Sequence, residues 1–492
     1  MPREGDVWVG IDVGTQSAHT VAVTSSGAVL GRARSALTSR RVGDRHEQDP
    51  QQWWTAVTRA TRHALAGVPP GAVRGVAVAG TSGTVVLLGP MGTPVTPGIM
   101  YDDARATTEV ARVNEAGGPL WAELGYQRMQ PTWALPKLLW LLRHVPHPPA
   151  GLALAHQSDV INRRLVGRAV ATDLSSALKT GADLVAGTWP RAVFDALGVP
   201  PDLLPPLVTP GTRLGAVCAA AADETGLPAG TPVHAGMTDG CAAQLASGAL
   251  RPGSWNSVLG TTLVLKGVAD RPLRDPTGAV YSHRGPGGTW LPGGASSTGA
   301  GVIARDYPPA DLPALTRAAG SYEPAAPVCY PLLSAGERFP FVAPQARGFV
   351  VGTPRDEAER FAAVLQGVAY LERLCFDHLD LLGAPLHGEV VLAGGATRNS
   401  YWNQLRADIL DRPVLLPDDV EPALGMAILA AAADRDLTAT AATMVRIRTV
   451  IEPRPGAPER FLPGYLRLVD TLERLGWLPA ATATHARKRS TG

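Results

Sequence analysis

Four hundred and ninety-two residues are too many for one ordinary core, so at least two domains are expected. Apolar residues make up 45% of the chain, and 45 lysines and arginines offset 43 aspartates and glutamates. So even a balance excludes a global field for nucleic acid or an anionic membrane, and no basic stripe with interleaved aromatics appears. The four cysteines, Cys218, Cys241, Cys329 and Cys375, have no CxxC or Cys/His ligand spacing and read as reduced thiols. No apolar leader follows Met1 and no run of about 18 uncharged apolar residues suggests a membrane span. The expected compartment is the cytoplasm.

In chain order, Val7 to Val13 reads as a strand, Gly14-Thr15-Gln16-Ser17 as a turn, and His19 to Val23 and Ala28 to Arg32 as returning strands. Asp49-Pro50 starts a helix whose apolar face carries Trp53, Val57, Ala60 and Ala64. Short apolar strands follow at Val73 to Ala79 and Thr84 to Leu88. Helices are predicted near 103–115, 134–144 and 159–166, with Gly117-Gly118-Pro119 as a breaker and a proline-rich loop at 145–150. Thr231 to Gly236 reads as a strand and Asp239 opens a helix. The opening pattern then recurs: strand Trp255 to Leu259, turn Gly260-Thr261-Thr262, strand Leu263 to Gly267. A long helix over about 356–382 precedes a strand (Glu389 to Ala393), Gly394-Gly395, a helix at 399–410, a strand at 413–416 and a helix from 421. Alternating strands and helices argue an α/β class in both halves. The division falls at 248/249, and 479–492, with its basic run Arg487-Lys488-Arg489, reads as a flexible tail.

Several of these turns carry chemistry. Asp12 ends a strand just before a glycine turn in which backbone N–H groups and the Thr15 hydroxyl can approach a phosphate. A carboxylate beside phosphates is repelled unless a divalent cation lies between, so Asp12 suits a Mg²⁺ role, direct or through water. Gly260, Thr261 and Thr262 form the second such turn. Asp239 stands at the edge of a helix, where an N-cap and an ionised general base are both good readings. Gly394, Gly395 and Asn399 follow an apolar strand and open a helix, which suits close approach to a flat ligand or a plain strand-to-helix turn. Trp402, Leu405 and Ile409 on that helix read as core. Thr81-Ser82-Gly83-Thr84 is a hydroxyl-rich turn, and Tyr101-Asp102-Asp103-Ala104-Arg105 pairs carboxylates with an arginine.

Taken in order, these pieces resemble the FGGY carbohydrate kinases. The resemblance runs from about residue 7 to 435. It rests on Gly10–Thr15, Gln48-Asp49-Pro50 with Trp53-Trp54, Tyr101–Arg105 (usually Trp-Asn-Asp-x-Arg), Leu135-Pro136-Lys137, Gly236–Gly240, Leu259–Thr262, Gly394–Asn399 and Glu421-Pro422-Ala423 with Gly425. It implies two RNase-H-like domains of the actin/hexokinase/Hsp70 fold flanking a deep cleft. Residues 1–248 would hold the sugar and the base, and 249–478 the nucleotide. It further implies ATP and Mg²⁺, Asp239 as catalytic base and metal neighbour, and Asp12 at metal and substrate. Gly14, Thr15, Gly260, Thr261 and Thr262 would meet phosphates, with Gly394, Gly395 and Asn399 at adenosine.

Gly80-Thr81-Ser82-Gly83 departs from the Gln-Met-His-Gly of typical xylulokinases, and Gln16 stands where Ser is frequent. With His156-Gln157-Ser158-Asp159 and Tyr281-Ser282-His283, the pattern is closer to a plant and cyanobacterial subgroup resembling D-ribulose kinases. D-ribulose is therefore the first expected acceptor and D-xylulose the second, contacted by Gln16, Ser82, Asp103 and Asp239, in a monomer or homodimer. A kinase for another polyol, a regulatory ATPase of the same fold and a non-catalytic sugar sensor are the alternatives.

Overall fold

The computed structural model describes residues 5–145 and 150–490, and most of the expected 145–150 loop lies outside them. The chain forms two compact units. The first runs to Leu250 and takes in His283–Leu291 and Asp419–Arg446; the second holds Arg251–Ser282, Pro292–Asp418 and the residues from Ile447 on. Compactness is thus not linear in sequence.

In the first unit, the strands Val7–Val13, Ser17–Thr24 and Val29–Ala36 form an antiparallel meander. Val73–Gly80 lies parallel to the first strand, Pro232–His234 parallel to that, and Arg213–Ala216 closes the edge antiparallel. The second unit repeats this order. Trp255–Leu259, Leu263–Gly267 and residues 293–295 are antiparallel, Val390–Ala393 and Val414–Pro417 follow in parallel, and Ile447–Ile451 is the antiparallel edge. The two Gly-Thr turns therefore occupy the same topological place, between the first and second strands of their sheets.

The opening strand is buried on both faces and alternates as a strand must. Val7, Val9, Ile11 and Val13 join a core with Trp53 and Val57 of the helix Pro50–Leu65, which Asp49 caps by accepting from Gln51 N at 2.9 Å. The other face meets the helix Pro422–Ala431. A Cβ on Gly10 would lie 1.7 Å from the Ala423 carbonyl oxygen, so only glycine permits this approach. The core of the second unit is organised by the 25-residue helix Glu357–Leu381. Its buried Glu372 accepts from Arg406 Nε at 2.7 Å and from Ser257 Oγ at 2.6 Å, tying helix to helix and helix to strand.

Two expectations are corrected. Gly117-Gly118-Pro119 does not break the chain; the helix Val110–Glu123 runs through it. The fully buried Trp121 lies over Gly117, and its indole donates to the Val113 carbonyl at 3.0 Å, a burial that outweighs the poor local propensity. The expected tail at 479–492 is not free over its described residues either. Residues Ala480–Arg489 form a helix that buries Thr482, Ala483 and Ala486, and Arg489 donates to Asp377 at 2.6 Å. Among the described residues, no helix is long and apolar enough to cross a membrane.

Candidate active site

In the first unit, three parallel elements bring chemistry to their carboxyl ends. Asp12 pairs with Ala79 and Val13 with Gly80, while Gly80 bridges to Thr238 and donates to the Met237 carbonyl at 3.3 Å. Crevices outside such strand ends are where open α/β sheets bind ligands. Thr238, with extended backbone, occupies the N-cap position, and Asp239 is the first residue of the helix Asp239–Ala246. Asp239 is thus not itself the cap, though its Oδ1 accepts from Gly240 N at 2.7 Å. The helix start is held from below: Thr238 N donates to Ser175 Oγ at 3.0 Å, and Ser175 Oγ donates to Asp173 at 2.5 Å.

Asp12 is buried, and its Oδ1 has no hydrogen-bond partner. Burial, then the neighbouring Asp239 and Glu421, push its carboxyl well above the usual range. Glu421, the residue before the helix Pro422–Ala431, also has a buried oxygen, Oε2, without a hydrogen bond. Its Oε1 lies 3.5 Å from Arg32, which also pairs with Asp419. In the sequence Glu421 belongs to the Glu421-Pro422-Ala423 helix start, one of the pieces of the resemblance; nothing local ties it to Asp12.

The turn after Asp12 is pinned without using its own side chains. Gly14 N donates to the Ser17 carbonyl at 3.1 Å, Leu37 N to the Gln16 carbonyl at 2.8 Å, and Gln48 Nε2 to the Thr15 carbonyl at 2.6 Å. Gln48 is in turn fixed by Trp53 Nε1 at 2.7 Å. Thr15 stays partly open and Gln16 is exposed.

Beside Gly80, the turn Thr81–Thr84 is held by two lysines: Lys179 Nζ donates to the Ser82 carbonyl and Lys137 Nζ to that of Gly83, each at 3.1 Å. Burial, followed by the nearby Lys179, drives the Lys137 ammonium well below its ordinary pKa. Ser82 Oγ is buried and unbonded. Asp103 stands differently. It is fully buried and accepts from His46 N at 2.6 Å and from Arg105 N, Nε and Nη2 at 2.7–3.1 Å, so its carboxylate is saturated by the protein. Its place is that of an anchor for the 45–48 strand. Asp102, half-buried, accepts from Arg41 at 2.8 Å and contacts His46 Nδ1 at 2.5 Å. These partners hold its carboxyl below the usual range against the opposing effect of burial.

In the second unit, Ala300 N donates to the Gly260 carbonyl at 2.9 Å and Gly301 N to that of Thr261 at 3.1 Å, leaving Thr261 exposed. Gly394 has φ +87°, and a Cβ there would lie 2.5 Å from the Leu259 carbonyl oxygen. The glycine pair is therefore laid against the strand end that carries the Gly-Thr turn. Next to it opens a pocket of about 600 Å³, lined by Ala300, Ile303, Tyr307, Thr316, Gly395 and Trp402 among others. Asn399, on its wall, caps the helix Ser400–Leu410 by accepting from Trp402 N at 3.0 Å and donates to Thr316 Oγ1 at 3.2 Å. Trp402 packs as expected and donates to the Leu365 carbonyl at 3.0 Å. The 300–316 wall escaped sequence reading because its small apolar residues carry no polar signature.

Two family models cover most of the chain. Residues 7–246 match the FGGY carbohydrate kinase N-terminal domain and 255–433 the C-terminal domain. A xylulose kinase of Streptomyces coelicolor is 32% identical over 441 residues, covering 87% of this chain and 88% of its own. That of Escherichia coli K12 is 30% identical over 442 residues, covering 86% and 89%.

This chain belongs to the FGGY family of carbohydrate kinases.

The crystal structure of xylulose kinase from Rhodospirillum rubrum, 27% identical, superposes with a TM-score of 0.85 over 95% of this FGGY kinase and 99% of its own chain. The expected two-domain α/β fold is therefore that of the family, and the chain is an ATP-dependent sugar kinase, a phosphotransferase with an alcohol acceptor. The subgroup placement drawn from Thr81–Thr84 finds no support in these relatives, which bear the name xylulose kinase.

Proposed function

We propose that this kinase phosphorylates the terminal hydroxyl of a pentulose, with D-xylulose ahead of D-ribulose. The order is set by the names of the relatives and reverses the one drawn from the Thr81–Thr84 turn. The observation that carries the site assignment is the meeting of Asp239 and the unpartnered Asp12 at the carboxyl ends of parallel strands.

In this reading Asp239 accepts the proton of the acceptor hydroxyl as that oxygen attacks the γ-phosphorus. The Gly14-Thr15 and Gly260-Thr261-Thr262 turns offer backbone and hydroxyl donors to phosphate oxygens. Adenosine takes the 600 Å³ pocket, against Gly395 and Asn399, with Gly394 just before them. Asp103, already saturated, acts as scaffold and not as a sugar contact. A buried carboxylate oxygen without a donor, facing Asp239 and Glu421, fits a divalent cation. Among the described residues, no three ligating side chains form a ready-made cage, which suits Mg²⁺ held by Asp12 and Asp239 largely through water and phosphates. When bound, Mg²⁺ neutralises phosphate charge.

Asp239→Ala is expected to lower kcat by about 10²-fold or more, with ATP binding preserved in calorimetry. Near-normal turnover in that variant would remove Asp239 from the base role. ADP release on a panel of ketopentoses, aldoses and polyols ranks the acceptors; a preference for D-ribulose would overturn the order given.

A further inference from the structure

The strand Ile447–Ile451 closes one edge of the seven-stranded sheet of the second unit. Val414–Pro417 pairs with its inner side, and among the described residues no strand pairs with its outer side. None of its five residues is buried: Ile447 is 40% exposed, Val450 53%, and only Ile451 is partly covered. Both faces of this strand thus stand open along with its outer edge. A row of free backbone N–H and C=O groups beside apolar side chains is a template for another strand.

Charge decides which strand fits. Arg446, Arg448 and Glu452 are exposed, and among the described residues none of the three has an ion-pair partner. The run Arg446-Ile447-Arg448-Thr449-Val450-Ile451-Glu452 is complementary to itself. Set antiparallel to a second copy about Thr449, it puts Arg446 opposite the partner's Glu452 and Ile447 opposite the partner's Ile451. Symmetry repeats both pairs, Arg448 meets the partner's Val450, and no like charges oppose each other. The edge strand of the first unit differs. Val29–Ala36 is also exposed, but it carries Arg32 and Arg34 and no acid, so pairing with itself about Ala33 would set cation against cation. We infer that the strand Ile447–Ile451 is a dimerisation edge that pairs antiparallel with the same strand of a second copy of this chain. Thr449 pairs inward with Leu416 and Ile447 with Pro417, which makes Arg448 the extra residue of a bulge. The bulge twists that end and keeps the ladder short, so the dimer is weak and depends on concentration.

Charge reversal tests both the partner and the register. Sedimentation velocity of the full chain, from micromolar to millimolar concentration, should show a reversible monomer–dimer equilibrium. Amide exchange over Thr449–Ile451 should slow as the dimer forms. Arg446→Glu sets acid against acid at both ends of the ladder, and Glu452→Arg sets base against base. Each should raise the dimer dissociation constant about tenfold or more, with the melting temperature of the dilute protein unchanged. An equimolar mixture of the two variants restores opposite charges at both ends and should dimerise about as well as the wild type, as should the double variant. A wild type that stays monomeric at every concentration would overturn the inference. So would a dimer that neither reversal weakens, which places the interface elsewhere, or weakened variants that mixing does not rescue.

Discussion

One buried carboxylate of the first unit costs stability and another holds the helix start in place. Asp12 is buried, lacks a donor on Oδ1 and faces Asp239 and Glu421, an arrangement that destabilises the protein free of ligands. Asp12→Asn removes that charge without changing shape. It should raise the melting temperature of the nucleotide-free protein by about 2–4 °C, the equivalent of about 1 kcal/mol in a unit of this size, while turnover collapses. A lower melting temperature would show that Asp12 stabilises the resting protein. Asp173 acts one step further back. Its carboxylate accepts from the N–H and hydroxyl groups of both Ser175 and Ser176 at 2.5–3.0 Å, and Ser175 Oγ fixes Thr238 N. It is a positioning residue for the helix start at Asp239. Asp173→Ala should lower kcat about tenfold and leave the KM for ATP where it was, because the pocket proposed for adenosine belongs to the other unit. A fall in ATP affinity without loss of kcat would contradict this.

At the scale of elements, legibility in the sequence followed locality. Strand–turn–strand units at 7–24 and 255–267, the capped helix after Asp49 and the 357–381 helix are specified by short-range pattern and turn chemistry, and the structure has them within a few residues. Tertiary contacts decided the rest. Trp121 carried a helix through Gly117-Gly118-Pro119, and packing with ion pairs turned a basic terminus into the helix Ala480–Arg489. Site residues divide the same way. Those on glycine turns carry a local signal in the sequence. Glu421 carries none, since its significance lies in what it faces, and the saturation of Asp103 by His46 N and Arg105 could not be read from a pair of adjacent aspartates. The apolar wall of the pocket proposed for adenosine was hidden among ordinary core residues, and it yields a test. Ala300 lines the pocket and donates its N–H to the Gly260 carbonyl. Ala300→Phe keeps that bond and fills the space, so the KM for ATP should rise about tenfold, about 1.4 kcal/mol, with the acceptor KM unchanged. An unaltered ATP KM would place adenosine elsewhere.

Over the whole molecule, the least expected feature is that the first unit is completed by residues 419–446, far along the chain. The helix Pro422–Ala431 buries nine of its ten residues, from Ala423 to Ala431. It lies on the face of the opening strand that Gly10 opens to it, and it delivers Glu421 to Asp12. Burying Leu424, Met426, Ile428 and Leu429 contributes on the order of 6–12 kcal/mol as an upper figure, comparable with the entire stability of an ordinary domain, about 5–15 kcal/mol. A fragment ending at Leu250 would lack that contribution and expose the face of the opening strand that carries Gly10. It should therefore show no cooperative thermal transition and little amide protection. Joining 419–446 to the same fragment through a flexible linker should restore both, because the added segment carries the helix that the strand is shaped to receive. A sharp melt and strong protection in the shorter fragment would mean that the meander and its other helices suffice, and that the late segment serves the site without holding the fold.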